Sequence, residues 1–561
     1  MNSWHEGFHH LRNLIIRLSI TYLALLAMSA LPGIQFRPGL FNVWAAALAF
    51  ALLTRFLRPV LLALTLPLTI TTAGLFIFVI DGTLLLLTDV LTPLEIGGFG
   101  WAILGSVVVG VMNIWLESGF KRLGWMEREE DDPAEIVSPG WALRILLLAG
   151  LLLGIIFSAL MAFEVAMALS TLTANLAILG GAAVATLLLV SLGFSWLVAE
   201  GLEASRRARF STIVAGLTTA GGVAALAFVM LDPVPHGPPP PSLPRTRYWE
   251  LSTGSRIAYD HYPAEDNRDQ PPLVYLHDGP GLGVLEPERS FYRQFSTDGF
   301  DVYLYDRVGT GRSERLDEIA AYGVERDIAD LDAIRSELGV NELILVGQGA
   351  GAELAARYLS HYPERVRKAV FHSPTPLWDD GQFFHNYVRT ASPTGPNPVL
   401  EPKLLAAASL ANYGPGAAQN LASQEEMGVL LARSFTPRTW VCARHATEAP
   451  QVDRAGFNFY VDLRMDQSTT ALPDPRPRLA ENLTPSLVLA AECDYLPWGV
   501  IQQYQEALLN EKVFYFAGAG HMIQLTQTGR LAAVMRAFLL DRSYPMLPYA
   551  GEASPRPVIG P

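Results

Sequence analysis

The chain has 561 residues, half of them hydrophobic and 17% charged, against roughly 25% charged for an ordinary soluble chain. These figures exclude a disordered chain and a small disulfide scaffold, and they do not fit a wholly soluble protein. Residues 1–231 hold 12 Lys/Arg and 14 Asp/Glu, whereas residues 232–561 hold 29 and 40. The first part therefore reads as lipid-like and the second as an acidic soluble region large enough for a full core. An acidic surface without a Lys/Arg cluster argues against nucleic acid as a partner.

Seven apolar runs, near residues 13–31, 40–57, 74–92, 97–116, 144–166, 174–199 and 210–231, are each long enough to cross a roughly 30 Å hydrocarbon layer. The stretch from Arg58 to Gly74, with Pro59 and Pro67, fits the first part of a long kinked helix or a re-entrant segment. The first run lacks a cleavage site and reads as an anchor, not a removable signal peptide. Alternating the loops puts Arg12, Arg17, Arg55, Arg58, Lys121, Arg122, Arg128, Arg144, Arg206, Arg207 and Arg209 on one side and Arg37 alone on the other. The positive-inside rule makes the first side cytoplasmic, in a bacterial-type cytoplasmic membrane, and delivers residue 232 onward to the outside. Asp81 and Glu164 fall within these runs; Asp81 is expected to bond a neighbouring helix and Glu164 to reach the interface, with a proton-relay role as the alternative.

The run Arg58-Pro59-Val60-Leu61-Leu62-Ala63-Leu64-Thr65-Leu66-Pro67-Leu68, continuing through Gly74-Leu75-Phe76, resembles the small four-helix membrane proteins of phage holin family 4, over about residues 11–118. The resemblance implies a membrane-embedded bundle and does not by itself imply lysis. The expected organisation is a holin-like region over 1–120, three further helices over 121–231 and a Pro-rich linker over 232–246. Seven prolines between Asp232 and Pro244 favour an extended polyproline spacer.

From residue 245 short apolar strands alternate with amphipathic helices. Leu273–Leu276, Val302–Tyr305, Leu343–Val346, Ala369–His372, Leu487–Ala490 and Val513–Phe516 read as strands, and Ile328–Leu338 and Ala350–Leu359 as helices between them. That pattern predicts a doubly wound, mostly parallel α/β sheet whose chemistry collects at the carboxyl ends of its strands. Those ends carry, in order, His277-Asp278-Gly279-Pro280-Gly281, Asp306-Arg307-Val308-Gly309-Thr310-Gly311-Arg312-Ser313, Gly347-Gln348-Gly349-Ala350-Gly351, Glu492-Cys493-Asp494 and Gly518-Ala519-Gly520-His521. The ordered set resembles the α/β-hydrolase fold, in particular its proline iminopeptidase branch, over about residues 247–541. The resemblance implies core segments at 247–373 and 486–545, a helical cap at 374–485 and a C-terminal tail at 546–561.

In such enzymes a serine on a sharp strand-to-helix elbow attacks a carbonyl, a histidine takes its proton, and an acid orients the histidine. The resemblance assigns acid and base to Asp494 and His521, and the nucleophile to position 349. That position is Gly349, on an elbow flanked by Gly347 and Gly351. Glycine adopts a left-handed elbow freely, so the turn is kept while the hydroxyl is lost. The loop of His277, Asp278 and Gly279, with Gln348 and Ala350 beside the elbow, is the expected oxyanion region. An inward-facing Asp278 would disfavour a developing oxyanion there. Val308, where the branch usually has arginine, is a further departure.

These departures favour a degenerate hydrolase, or a pseudoenzyme that binds a small molecule or peptide beneath its cap, without metal or cofactor. Two alternatives remain open at this level. Asp494 and His521 could serve an active peptide, amide or ester hydrolase using water or another nucleophile such as Ser373, or the membrane bundle could be primary, in transport or envelope stress, with the outer domain as sensor. Cys442 and Cys493 are expected as buried free thiols, although a disulfide is permitted outside the cytoplasm.

Overall fold

The computed structural model of the chain describes residues 2–29, 34–36, 41–65, 76–122, 141–201, 207–231, 234, 240, 243–265, 270–378, 402–434, 441–442, 456–551 and 553–556. Two compact units divide it, Met1–Phe228 and Val229–Pro561. Most of the Pro-rich linker and the second half of the Arg58–Gly74 stretch lie outside the described residues.

In the first unit the apolar runs form helices α1 (Asn2–Met28), α2 (Asn42–Leu64), α3 (Phe76–Leu91), α4 (Phe99–Arg122), α5 (Trp141–Ser170), α6 (Leu176–Gly201) and α7 (Arg207–Leu231). Helix α2 continues through Pro59 to Leu64 instead of ending near residue 57. Leu176–Trp196 and Arg207–Met230 are long and apolar enough to cross a membrane on their own composition. The first four helices pack on Leu25, Met28, Phe50, Leu84 and Leu85, and Tyr22 stacks on Trp44. Strand β1 (Ile34–Phe36) pairs antiparallel with β2 (Leu94–Ile96), tying the α1–α2 connection to the α3–α4 connection. Arg58 on α2 bonds Asp81 on α3 at 2.9 Å, so the carboxylate is neutralised by a neighbouring helix.

The second unit is built on an eight-stranded sheet. Its strands are β3 (Thr246–Glu250), β4 (Arg256–Tyr262), β5 (Leu273–Leu276), β6 (Val302–Tyr305), β7 (Leu343–Gln348), β8 (Val366–His372), β9 (Ser486–Cys493) and β10 (Glu511–Gly520). Their order is β10-β9-β8-β7-β5-β6-β4-β3. The six strands anticipated from apolar runs are all present and pair in parallel, whereas β3 and β4 are antiparallel additions at one edge. The edge pair carries no such signal because its residues mix aromatic with charged, as in Thr246-Arg247-Tyr248-Trp249-Glu250, and only Trp249 of that strand is buried. By contrast Leu343, Ile344, Leu345 and Val346 are all buried, each contributing about 1.5–3 kcal/mol on removal from water.

Helices α8 (Glu286–Tyr292), α9 (Val324–Glu337) and α10 (Ala350–His361) follow β5, β6 and β7 as crossovers. In the segment between β8 and β9 that the sequence marks as the expected cap, the described residues form α11 (Pro402–Tyr413), α12 (Pro415–Leu421), α13 (Gln424–Ser434), α14 (Phe459–Ala471) and α15 (Arg476–Leu479). After β9 and β10 come α16 (Trp498–Ala507), α17 (Ile523–Thr526) and α18 (Thr528–Leu539). The cap rests on the strand-end loops through backbone bonds, Asn458 N–H to Gly281 O at 2.8 Å and Gly311 N–H to Gly456 O at 3.0 Å. Cys442 in the cap and Cys493 at the end of β9 form a disulfide. The expectation of two free thiols is thus corrected; 51 residues of sequence separate a pair whose Cα atoms lie 5.1 Å apart, well within bridging range.

Candidate active site

Strand β7 delivers the chain to Gly349 at φ 54° and ψ −119°, from which α10 starts at once. This is the left-handed turn that only glycine adopts without strain. The flanking glycines are required for packing: a β-carbon at Gly347 would overlap Gly351 O, and one at Gly351 would overlap Leu276 O. Bonds from Gly349 N–H to His372 O at 3.0 Å and from Thr375 N–H to Gly349 O at 3.2 Å fix the elbow to the segment after β8.

The space a side chain would take at 349 is filled. A β-carbon there would overlap the carboxylate of Asp278, with Oδ1 as its nearest atom. Asp278, first residue but one after β5, points inward. Its Oδ1 accepts the Ala350 N–H at 3.1 Å, its Oδ2 lies 2.9 Å from His521 Nε2, and the Gly279 N–H also donates to it. On the other side of the ring, His521 Nδ1 lies 2.9 Å from Asp494 Oδ1. The three side chains form one buried row, Asp278, His521, Asp494.

Both ring nitrogens of His521 face carboxylate oxygens, so both must carry a proton to bond them. Burial opposes that charge, but Asp494 and Asp278 outweigh it and push the imidazole up to about 10. Burial likewise works against the Asp278 carboxylate, and His521 with the N–H groups of Gly279 and Ala350 holds it below the usual carboxylate range. An imidazolium so engaged has no lone pair with which to accept a proton. The N–H after the elbow residue, the usual oxyanion donor in this fold, is occupied by an anion of the protein itself. Only 10% of the Asp278 side chain is exposed, against 0% for His521 and 2% for Asp494.

The remaining residues singled out from the sequence have other surroundings. His277 is buried; its Nδ1–H donates to Asp278 O at 3.0 Å and its Nε2 accepts the Arg307 N–H at 3.1 Å. Burial, with Arg307 beside it, lowers His277 to about 3, so it is neutral and shapes the loop. Gln348 lies under the elbow and accepts from Tyr275 Oη at 3.3 Å and from Gln524 Nε2 at 3.0 Å. Ser373 is buried, with Oγ unpartnered and therefore not bonded to His521. Cys493 is committed to its disulfide. The turn after β6 is held by Asp306, which accepts the N–H groups of Val284 at 2.7 Å and Arg312 at 2.9 Å.

Two acids near the row had no signal in the sequence. Asp462 on α14 accepts the Gly281 N–H, and burial, followed by the charge of Asp278, pushes it up to about 6. Glu288 on α8 bonds the Leu285 N–H at 2.7 Å, and burial pushes it up to about 8. Tyr495 lies against the His521 ring at 4.5 Å between centroids.

Residues 12–115 match the family described as Mycobacterial 4 TMS phage holin, superfamily IV, and residues 271–393 match the alpha/beta hydrolase fold family. Among curated relatives, proline iminopeptidase of Heyndrickxia coagulans is 30% identical over 141 residues, covering 23% of this chain and 44% of that one. The enzyme of the same name from Lactobacillus delbrueckii subsp. bulgaricus is 35% identical over 115 residues, covering 19% and 36%. The chain thus spans less than half the length of these relatives. Among solved structures, proline iminopeptidase of Mycobacterium smegmatis is 18% identical, with 53% of this chain and 98% of that one covered and a TM-score of 0.38. VinJ is 17% identical, with 54% and 100% covered and the same TM-score of 0.38. The chain joins a phage-holin-like membrane region to an α/β-hydrolase domain related to the proline iminopeptidases.

Proposed function

We propose that this protein is a multi-pass membrane protein carrying a degenerate serine hydrolase, a hydrolase-fold unit without serine acyl transfer that binds a small molecule or peptide beneath its cap. The observation that carries the reading is the Asp278 carboxylate in the space of the missing side chain, bonded to Ala350 N–H and His521. Loss of the hydroxyl, protonation of the base and occupation of the oxyanion donor each remove one requirement of acyl transfer. Deleting a triad serine alone costs a known protease on the order of a million-fold in turnover.

The unit is assigned to the outer face of the cytoplasmic membrane. Two arguments support this: taking the seven apolar runs as alternating spans collects all but one of the Lys/Arg of residues 1–231 on the opposite side, and Cys442 and Cys493 are bridged, as in oxidising compartments. Purified full chain in detergent is assayed on aminoacyl anilides and short esters. Turnover at the uncatalysed rate is expected; turnover that disappears in His521→Ala overturns the reading.

A further inference from the structure

We infer that Asp278 is itself a nucleophile, directed at a saturated electrophilic carbon of the epoxide class, with His521 and the Ala350 N–H serving the ester that forms on it. This rests on the reading that serine acyl transfer is lost, and goes beyond it. Three observations carry it. A carboxylate is a competent covalent nucleophile, and the protonated His521 Nε2, 2.9 Å from Asp278 Oδ2, stands beside it as a proton donor for the oxygen that leaves. The Asp278 side chain keeps 10% exposure, against 2% for Asp494 and 0% for His521. The Ala350 N–H points at Oδ1 of Asp278, 3.1 Å away, and not into open space.

The last point selects the substrate. Attack on a carbonyl would build a negative oxygen on the substrate, and the Ala350 donor is already turned to Asp278. Attack on a saturated carbon builds no such oxygen. It leaves an alkyl ester on Asp278 whose own carbonyl oxygen, Oδ1, faces Ala350 N–H, where that donor stabilises the tetrahedral intermediate of ester hydrolysis.

The steps balance for an epoxide. Oδ2 attacks a ring carbon, the carbon–oxygen bond of the epoxide breaks, and the alkoxide takes the proton from His521 Nε2. Esterification removes one of the two carboxylates that hold His521 protonated, so the ring is left neutral. It then takes a proton from water as the hydroxide adds to Cγ of Asp278, with the negative oxygen on Oδ1. Collapse breaks the bond from Cγ to Oδ2, the diol leaves with the proton returned by His521, and the new carboxylic acid of Asp278 reprotonates the ring. Water and epoxide give the diol, and Asp278 and His521 regain their resting charges without an external acid.

The test uses full chain in detergent, with styrene oxide as probe in heavy-oxygen water. In a single turnover the heavy oxygen is expected in the Asp278 peptide and not in the diol, read by mass spectrometry. His521→Gln, which lacks both the proton source for the alkoxide and the base for ester hydrolysis, and Asp278→Asn, which lacks the nucleophile, are each expected to lose the heavy-oxygen signal. The natural chain carries the heavy-oxygen readout, so the test stands if either variant fails to fold. Absence of heavy oxygen from the Asp278 peptide of the natural chain, or its direct appearance in the diol, overturns the proposal. Hydrolysis of an acyl ester that depends on His521 would instead overturn the reading beneath it.

Discussion

Restoring serine at position 349 is predicted to fail unless Asp278 is removed with it. In Gly349→Ser the new β-carbon overlaps Asp278 Oδ1, so the carboxylate must leave Ala350 and His521. Breaking a buried ion pair costs about 3–5 kcal/mol, and a non-glycine residue at φ 54° adds about 1–3 kcal/mol. Asp278→Gly alone strips His521 of one of its two partners, again at about 3–5 kcal/mol. In the double variant the serine hydroxyl takes the vacated position between His521 and Ala350, so the two losses should not add: a favourable coupling of about 3 kcal/mol is expected, at the upper end for contacting residues. Full chain and the three variants are unfolded with urea in detergent, and each is exposed to a fluorophosphonate probe. Only the double variant should be labelled. If Gly349→Ser alone matches the parent in stability and is labelled, Asp278 does not fill the site as described.

Three other outcomes follow from the same geometry. Because the folded His521 is raised from 6.5 to about 10, its pairing stabilises fully below about pH 6.5 and is lost as pH rises through about 10; His521→Gln should remove that alkaline loss in a urea series, and an unchanged profile would contradict it. Reducing the Cys442–Cys493 bridge, or replacing both residues by serine, should cost about 4 kcal/mol by loop-closure entropy for 51 residues of separation; equal stability with and without reductant would mean the bridge does not form. Protease added outside intact cells should cut the Pro-rich segment between residues 232 and 246, and protection there would reverse the assigned orientation.

The sheet was legible because its central strands are buried on both faces and read as short apolar runs, each ending in a loop of glycine and polar residues. Gly349 was legible for the same reason: the elbow pattern is local, and a missing hydroxyl shows in one letter. What sequence could not reveal was direction. Asp278 would disfavour an oxyanion only if it faced inward, and a single letter in a loop does not tell which way its side chain turns. The structure ties Asp278 to Gly349, since the carboxylate occupies the volume that position 349 leaves empty. Asp462 and Glu288 were missed because an acid among other helix acids carries no mark of burial until its partners in space are known. The pairing of Cys442 with Cys493 likewise depended on how the cap returns over β9, which no spacing rule supplies.

The most direct test of the central claim, that the Asp278 carboxylate fills the place of the missing side chain and serine acyl transfer is lost, is acyl-substrate turnover by the natural chain beside His521→Ala. The expected result is the same background rate for both on esters and aminoacyl anilides. A rate well above background in the natural chain, abolished by His521→Ala, would mean that acyl transfer survives Gly349 and that the site is not the closed row described.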